Sequence, residues 1–151
     1  MLELMMYVAI LSIIMFAFLR AMDQAKKAKL VSIARTVRQI NESATIVYAT
    51  TGDWPADVWN SIMPPEMAPY LSNNIFQNDT PIGGRWDWNG ADSAVSDSIG
   101  IAIRFNPSGS ADLGLLTELD TILDDGNLST GLCRGTVYTG KYFYVIEVAK
   151  E

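Results

Sequence analysis

Sixteen consecutive residues, Leu4 to Leu19, carry no charge, and Ser12 is the one conventionally polar side chain among them. As a helix this run is about 24 Å long, short of the roughly 30 Å of a bilayer core. Met1, Leu2 and the alkyl stem of Arg20 extend it if the arginine snorkels. The run is apolar on every face, and such a helix needs lipid or protein all round it. A cleavable signal peptide fits less well, because the residues before the run are acidic instead of basic and no small-x-small cleavage site follows. A single carboxylate, Glu3, stands at its head.

After Arg20 the pattern changes. Leu30, Ile33, Val37, Ile40, Ala44 and Val47 recur at steps of three and four, which predicts one apolar stripe on an amphipathic helix. No Gly or Pro occurs before Gly52 and Pro55. Nothing interrupts a single helix from about Leu2 to about Ala49, roughly 70 Å long at 1.5 Å per residue. A domain of this size is only about 30 to 40 Å across, so half the helix must project from it.

The remainder reads as a small head. Gly52 and Pro55 mark a stop and a restart. "PADVWNSI" and "PPEMAPYL" each suit a helical turn or two with Pro near the start, with Trp54 and Trp59 as packing residues of this loop. Gly83-Gly84 predicts a turn, and Arg85-Trp86-Asp87-Trp88 alternates as a strand. "SIGIAIRF" (98–105) is a second strand, closed by "NPSGS". "ADLGLLTELDTILDDG" (111–126) has helical spacing at Leu115, Leu119, Ile122 and Leu123 and ends at Gly126. "GTVYTGKYFYVIEVA" is a hairpin around Thr139-Gly140. Three or four antiparallel strands with one long helix on a face give an α+β fold. The expected division is an apolar N-terminal stalk over 1–25 and a globular head over 26–151 that includes the amphipathic half of the helix.

Charge sharpens this division. Residues 20–38 hold six basic side chains (Arg20, Lys26, Lys27, Lys29, Arg35, Arg38) against Asp23, a net of +5; residues 39–151 hold five basic and fifteen acidic ones, a net of −10. Either a solvated basic helix face lies beside an acidic domain, or basic stem and acidic head meet on neighbouring copies. The basic cluster after the apolar run would put the C-terminal domain in the cytoplasm by the positive-inside rule; a basic leader removed from the N-terminus would reverse that. The total of −6 argues against a nucleic-acid partner.

Candidate chemistry is sparse. There is no histidine, which removes the commonest general base and metal ligand together. The single cysteine, Cys133, cannot form an intramolecular disulfide, and a buried apolar role is expected. Asp124-Asp125-Gly126-Asn127 lacks the alternate ligands and terminal Glu of a calcium loop, so a helix end followed by a turn is expected. Asp92 and Asp97 fall in a polar loop. Asn41, Asn78 and Asn127 open glycosylation-type triplets, with Asn41 inside a helix. Trp86 and Trp88 lack the interleaved Lys or Arg of a nucleic-acid stacking platform. No nucleophile–base pair is found. The chain reads as non-enzymatic, with no metal site and no cofactor.

An apolar N-terminal helix with one early Glu, "LELMMYVAILSIIMFAFLRAMDQAKKAK", continuing as an amphipathic helix into an α+β head, resembles the type IV pilin superfamily, including the pseudopilins of type II secretion. "TPIGGRWDWNG", "DDGNLSTG" and "YFYVIEV" also look like a bacterial pilin-like subgroup. The resemblance implies a structural subunit that polymerises with copies of itself into a helical filament, a type IV pilus or a type II secretion pseudopilus. It implies a leader removed by a prepilin peptidase, an N-methylated first residue, storage in the inner membrane, and handling by pilus or secretion machinery before export to the cell surface or periplasm. It implies that Glu3 pairs with the N-terminal ammonium of an adjacent subunit; either Met1 is itself that first residue or the mature start is missing from this sequence. Leu2, Leu4, Met5, Tyr7, Val8, Leu11, Ile14, Met15 and Phe18 would pack the filament core. Two features depart from the family. It usually has two residues before the Leu-Glu pair, where this chain has Met1 alone, and many members carry a Gly or Pro in the stalk, where this chain has Ser12 and Arg20. A more continuous stalk helix is therefore expected. The competing reading is a membrane-anchored ligand-binding domain that does not polymerise, with a site formed by Trp54, Trp59, Trp86 or Trp88.

Overall fold

The computed structural model of the chain describes residues 2–58, 62–72, 74–91, 93, 95 and 98–150; the side chains of residues 2–4, 149 and 150 lie outside that description. Met1, Trp59, Asp92 and Asp97, and the side chains of Leu2, Glu3 and Leu4, therefore lie outside the described residues.

A single helix, α1 (Leu2–Thr51), runs without interruption for 50 residues, about 75 Å at 1.5 Å per residue. The continuity follows from the absence of Gly and Pro, and the stop follows from Gly52. Gly52 takes φ 85° and its N–H returns to the Tyr48 carbonyl at 2.9 Å, so glycine supplies the left-handed residue that closes a helix C-terminus. Ser12, the polar residue of the stalk, donates its hydroxyl to the Val8 carbonyl at 2.8 Å. The hydroxyl is thereby satisfied within its own helix, as a polar group in an apolar segment requires.

The expected stripe is the buried face of α1. Leu30, Ile33, Val37, Ile40, Ala44 and Val47 are all buried, and Ala34 joins them. They lie against a four-stranded antiparallel sheet of order β1-β2-β4-β3, formed by β1 (Arg85–Asn89), β2 (Ser98–Phe105), β3 (Cys133–Tyr138) and β4 (Lys141–Lys150). From the sheet, Trp86, Trp88, Ile101, Ile103, Phe105, Tyr144 and Ile146 complete this core. A second, smaller cluster of Ala102, Phe143 and Val145, with Val95 and Tyr138 packed on it, occupies separate ground. It accounts for one departure from the expected alternation: Asp87 and Asn89 are buried along with Trp86 and Trp88, so β1 is covered on both faces.

The segment after α1 departs from its predicted form. "PADV" makes no helical turn: Val58 bridges antiparallel to Trp88, the Trp88 indole N–H donates to the Pro55 carbonyl at 2.9 Å, and the Gly90 N–H donates to Asp57 Oδ1 at 3.3 Å. The segment is a strap fastened across the edge of β1, because a buried indole N–H needs an acceptor and Pro55 offers its carbonyl. Trp54 stacks on Tyr48 with ring centroids 4.5 Å apart, consistent with a packing role. "PPEM" does form a short 3₁₀ turn, Pro65–Met67, and a one-turn helix α2 (Asn74–Gln77) follows that the sequence reading lacked.

Helix α3 (Leu113–Leu123) starts at Asp112, whose carboxylate accepts from the Leu115 N–H at 3.1 Å, an N-cap. Leu116, Leu119 and Asp120 are buried and Leu115 and Leu123 pack half-buried on the same core, so the expected Leu115/Leu119/Ile122/Leu123 face holds except at Ile122, which is 52% exposed while Leu116 and Asp120 turn inward. The final hairpin turns at Thr139 (φ 47°) and Gly140 (φ 73°), the two positive φ values a two-residue turn with the twist of its strands requires. Open space surrounds the position of a Cβ at Gly140, so Gly140→Ala will cost only the left-handed backbone preference, roughly 1 kcal/mol. Thr139→Asn, which relieves a β-branched residue at positive φ, will act in the opposite direction. Denaturant unfolding of the full chain in detergent, followed by tryptophan fluorescence, checks both signs.

Candidate assembly surface

The buried stripe of α1 begins at Leu30, and the residues described before it are exposed apart from the half-buried Lys26. From the expected packing set, Met5, Tyr7, Val8, Leu11, Ile14, Met15 and Phe18 are each 57–69% exposed. Met6, Ile10, Ile13, Phe16 and Leu19 are exposed to a similar degree, although the sequence-derived set omitted them. The signal for them was present: an unbroken apolar run has no privileged face, so any list drawn from it by spacing is too short. A contiguous apolar surface of this extent is unusual on a soluble monomer and marks an interaction or membrane surface. The helix is long and apolar enough to cross a membrane.

Next to the stalk stands the neck, where most of the basic residues lie. Lys26 forms an ion pair with Glu118 of α3, and Lys27 pairs with Asp23 one turn back at 3.1 Å. Arg20, Arg35 and Arg38 meet no hydrogen-bond or ion-pair partner among the described residues.

Within the head, the polar groups serve the fold. Asp124, just past α3, accepts from the backbone N–H groups of Leu132 and Cys133. Asp125 accepts from the Asn127 N–H at 2.8 Å and from the Thr130 hydroxyl at 2.7 Å, and these bonds, the hydroxyl's first, hold its carboxyl below the ordinary aspartate range. "DDGN" is thus the helix end and turn expected, and among the described residues no group of three or more acidic, His or Cys side chains is placed to hold a metal ion. Cys133 is buried, as expected, and burial pushes its thiol up to about 11.

Asp120 was not anticipated. It is fully buried; its Oδ1 accepts from the Tyr144 hydroxyl at 2.8 Å, and its Oδ2 meets no partner among the described residues. Burial raises its pKa above the ordinary aspartate value and the charges of Asp125 and Asp124 add to the rise, while the Tyr144 hydrogen bond opposes it. Burial likewise drives the Tyr144 phenol far above its ordinary range.

Among the described residues, the tryptophans offered as a ligand site do not form one. Trp86 and Trp88 are core residues, 3% and 0% exposed, Trp54 is engaged with Tyr48, and Trp59 lies outside the described residues. Two clefts open to solvent are lined elsewhere, one of about 370 Å³ by Arg85, Arg104 and Asn106, one of about 420 Å³ by Glu42, Ile46 and Tyr70.

No family model and no curated protein matches the sequence. Among solved structures the chain is similar to the major Type IV pilin PilA1 from Clostridium difficile, with a TM-score of 0.54 and 17% identity over 81% of this chain and 96% of that one. At that identity the likeness is one of architecture, and the long N-terminal helix on a four-stranded antiparallel head carries the same meaning: this chain has the type IV pilin-like fold.

Proposed function

We propose that the chain is a structural subunit that polymerises with copies of itself into a helical filament, a type IV pilus or a type II secretion pseudopilus. The observation that carries this reading is the stalk: an uninterrupted helix whose residues from Met5 to Leu19 are apolar on all sides and exposed in the single chain. Lipid satisfies such a surface first, while the subunit waits in the inner membrane, and sister stalks satisfy it later. The working division is a stalk over 1–25 and a head over 26–151. A prepilin peptidase and pilus or secretion machinery are the proposed handling partners, and the filament stands at the cell surface or in the periplasm. The subunit acts without catalysis. Glu3 and the N-terminal ammonium of a neighbouring copy, carried by Met1 where the mature chain starts there, supply the opposite charges of a contact, and Leu2 and Leu4 extend the apolar packing of Met5 to Phe18.

Electron microscopy of material sheared from cells tests the reading. Narrow fibres of uniform diameter containing this chain are expected, and recovery solely as detergent-soluble monomer would sink it. Ile14→Lys places an unpaired charge among packed stalks, where burial of a lone charge is strongly unfavourable. Fibre yield should drop by at least about tenfold, since a few kcal/mol per contact is a large factor in equilibrium. The head, which Ile14 does not touch, should melt unchanged.

A further inference from the structure

The neck presents an arginine-rich strip that its own head does not answer. Arg20, Lys27, Val31 and Arg38 follow one another at steps of seven, four and seven residues, and Arg35 lies four beyond Val31, so all five share one side of α1. That side is opposite the buried stripe: all five are exposed, Val31 to 55%. Lys26, on the other side of the helix, is the neck residue that reaches α3 within the same chain, through Glu118.

The complement to this strip is present on the same molecule. From Phe105 to Cys133 the sequence holds five acidic residues and no Lys or Arg. The outward side of α3 exposes Leu113, Glu118 and Ile122, flanked by Asp112 and Asp125. One strip is apolar at its middle and basic around it, the other apolar at its ends and acidic between and beside them.

We propose that the neck strip of one subunit (Arg20, Lys27, Val31, Arg35, Arg38) docks on the outer face of α3 in a second copy of this chain. The inference rests on the filament reading and names its lateral contact. Three features favour a sister subunit as occupant. The charges are complementary, which sets register and orientation as well as attraction. The strip continues directly from the exposed stalk, so packing of stalks brings the neck of one copy alongside the next. The Lys26–Glu118 pair places α3 at the level of the neck, so a small axial offset between copies brings strip to strip. The two patches are different surfaces of one molecule. Such a contact is heterologous, and a heterologous contact whose rotation does not close generates an open helix instead of a ring or a two-fold dimer.

The test is a charge exchange in the full-length chain. Arg35→Glu with Arg38→Glu should lower filament yield at least about tenfold, and raising ionic strength should weaken wild-type lateral contacts in the same sense. Adding Thr117→Lys with Thr121→Lys, both exposed on α3, should restore assembly. Independently, Arg35→Cys with Thr121→Cys should give an oxidant-dependent ladder of cross-linked subunits within filaments, the native Cys133 being 1% exposed. Wild-type filaments with no response to the neck reversal overturn the docking and leave the filament reading intact. A loss that the α3 lysines do not repair, with no cross-link, does the same. Reduced binding to phosphatidylglycerol vesicles with normal filaments assigns the strip to lipid headgroups and also overturns it. Absence of filaments from the wild-type chain removes both readings together.

Discussion

Asp120→Asn will make the head more stable at neutral pH and remove one component of its pH dependence. Asp120 is fully buried, with one oxygen bonded to the Tyr144 hydroxyl at 2.8 Å and the other without a partner among the described residues. Burial and the neighbouring charges of Asp125 and Asp124 raise its pKa above 3.8. The folded state therefore holds this proton more tightly than the unfolded chain does. The stability that the protonated carboxyl contributes is fully present below the unfolded value and is lost as pH rises through the raised folded one. Each pH unit over which the folded chain keeps a proton that the unfolded chain has released costs about 1.4 kcal/mol. Asparagine keeps an oxygen for Tyr144 and does not ionise. Asp125 runs the other way, since its pKa is lowered; its contribution appears above the unfolded value and is lost as pH falls through the folded one. The titratable groups facing Asp120 are Asp124, Asp125, Cys133, Tyr142 and Tyr144, and Cys133, Tyr142 and Tyr144, all pushed up by burial, do not titrate in the acidic range. The difference between wild-type and Asp120→Asn unfolding curves from pH 3 to 8, in detergent, isolates the residue. It should grow with pH and then level. Tyr144→Phe, which strips the carboxyl of its donor, should instead cost about 1–3 kcal/mol. A wild-type head more stable than Asp120→Asn at pH 8 would contradict the assignment.

Asp120 also shows where sequence reading reached its limit. A helical stripe is found by counting apolar residues, and an aspartate counts as outward. The pattern in 111–126 therefore selects Ile122, whereas the molecule turns Leu116 and Asp120 inward and leaves Ile122 in solvent. What fixes this arrangement is a partner some twenty residues later, the Tyr144 hydroxyl on β4, and no local periodicity reports it. The strap over β1 escaped for a similar reason. Pro55 suits the start of a helix, but its carbonyl is used by the Trp88 indole, a contact 33 residues distant. Asp87 and Asn89 read as outward positions of an alternating strand until the second cluster covers that side.

The elements read correctly are those whose cause is local or collective. Without Gly or Pro to break it, α1 ends where Gly52 supplies a left-handed residue. Its stripe from Leu30 to Val47 is a strict helical period over five turns, and all six positions are buried. β2 spans the residues expected, Ser98–Phe105, because a short β-branched run bounded by turn residues has few other ways to be buried. Most of the candidate surface was legible as well, since exposure of the stalk follows from its length against the width of the head. Individual contacts on that surface belong to a second molecule, and one chain's sequence does not rank them.

Glu3→Gln will reduce filament yield more than any other single stalk change of equal size, without altering the head. In the filament reading, the carboxylate enters a bundle of apolar helices where an unpaired charge is costly, and the N-terminal ammonium of a neighbour supplies its partner. Removing one member of a buried pair leaves the other uncompensated, at a cost of about 3–5 kcal/mol. That is more than about a hundredfold in the equilibrium constant of each subunit contact. Glutamine retains the size, the helix propensity and the hydrogen-bonding capacity of glutamate, so a defect isolates charge. The head begins some forty ångströms along the helix at Leu30, by 1.5 Å per residue, and its unfolding should be unchanged. Salt separates this contact from the neck strip. A pair enclosed by stalks is little screened, whereas exposed charges are screened beyond about 10 Å at 0.1 M. Wild-type assembly should thus weaken with salt through the neck alone, and Glu3→Gln should remain defective at every ionic strength. If instead Glu3 is an interfacial acid favoured by the helix dipole, the change is worth about 0.3–1 kcal/mol, and Glu3→Gln filaments form at close to wild-type yield. Quantitative microscopy of sheared fibres, normalised to membrane-extracted subunit, distinguishes these outcomes.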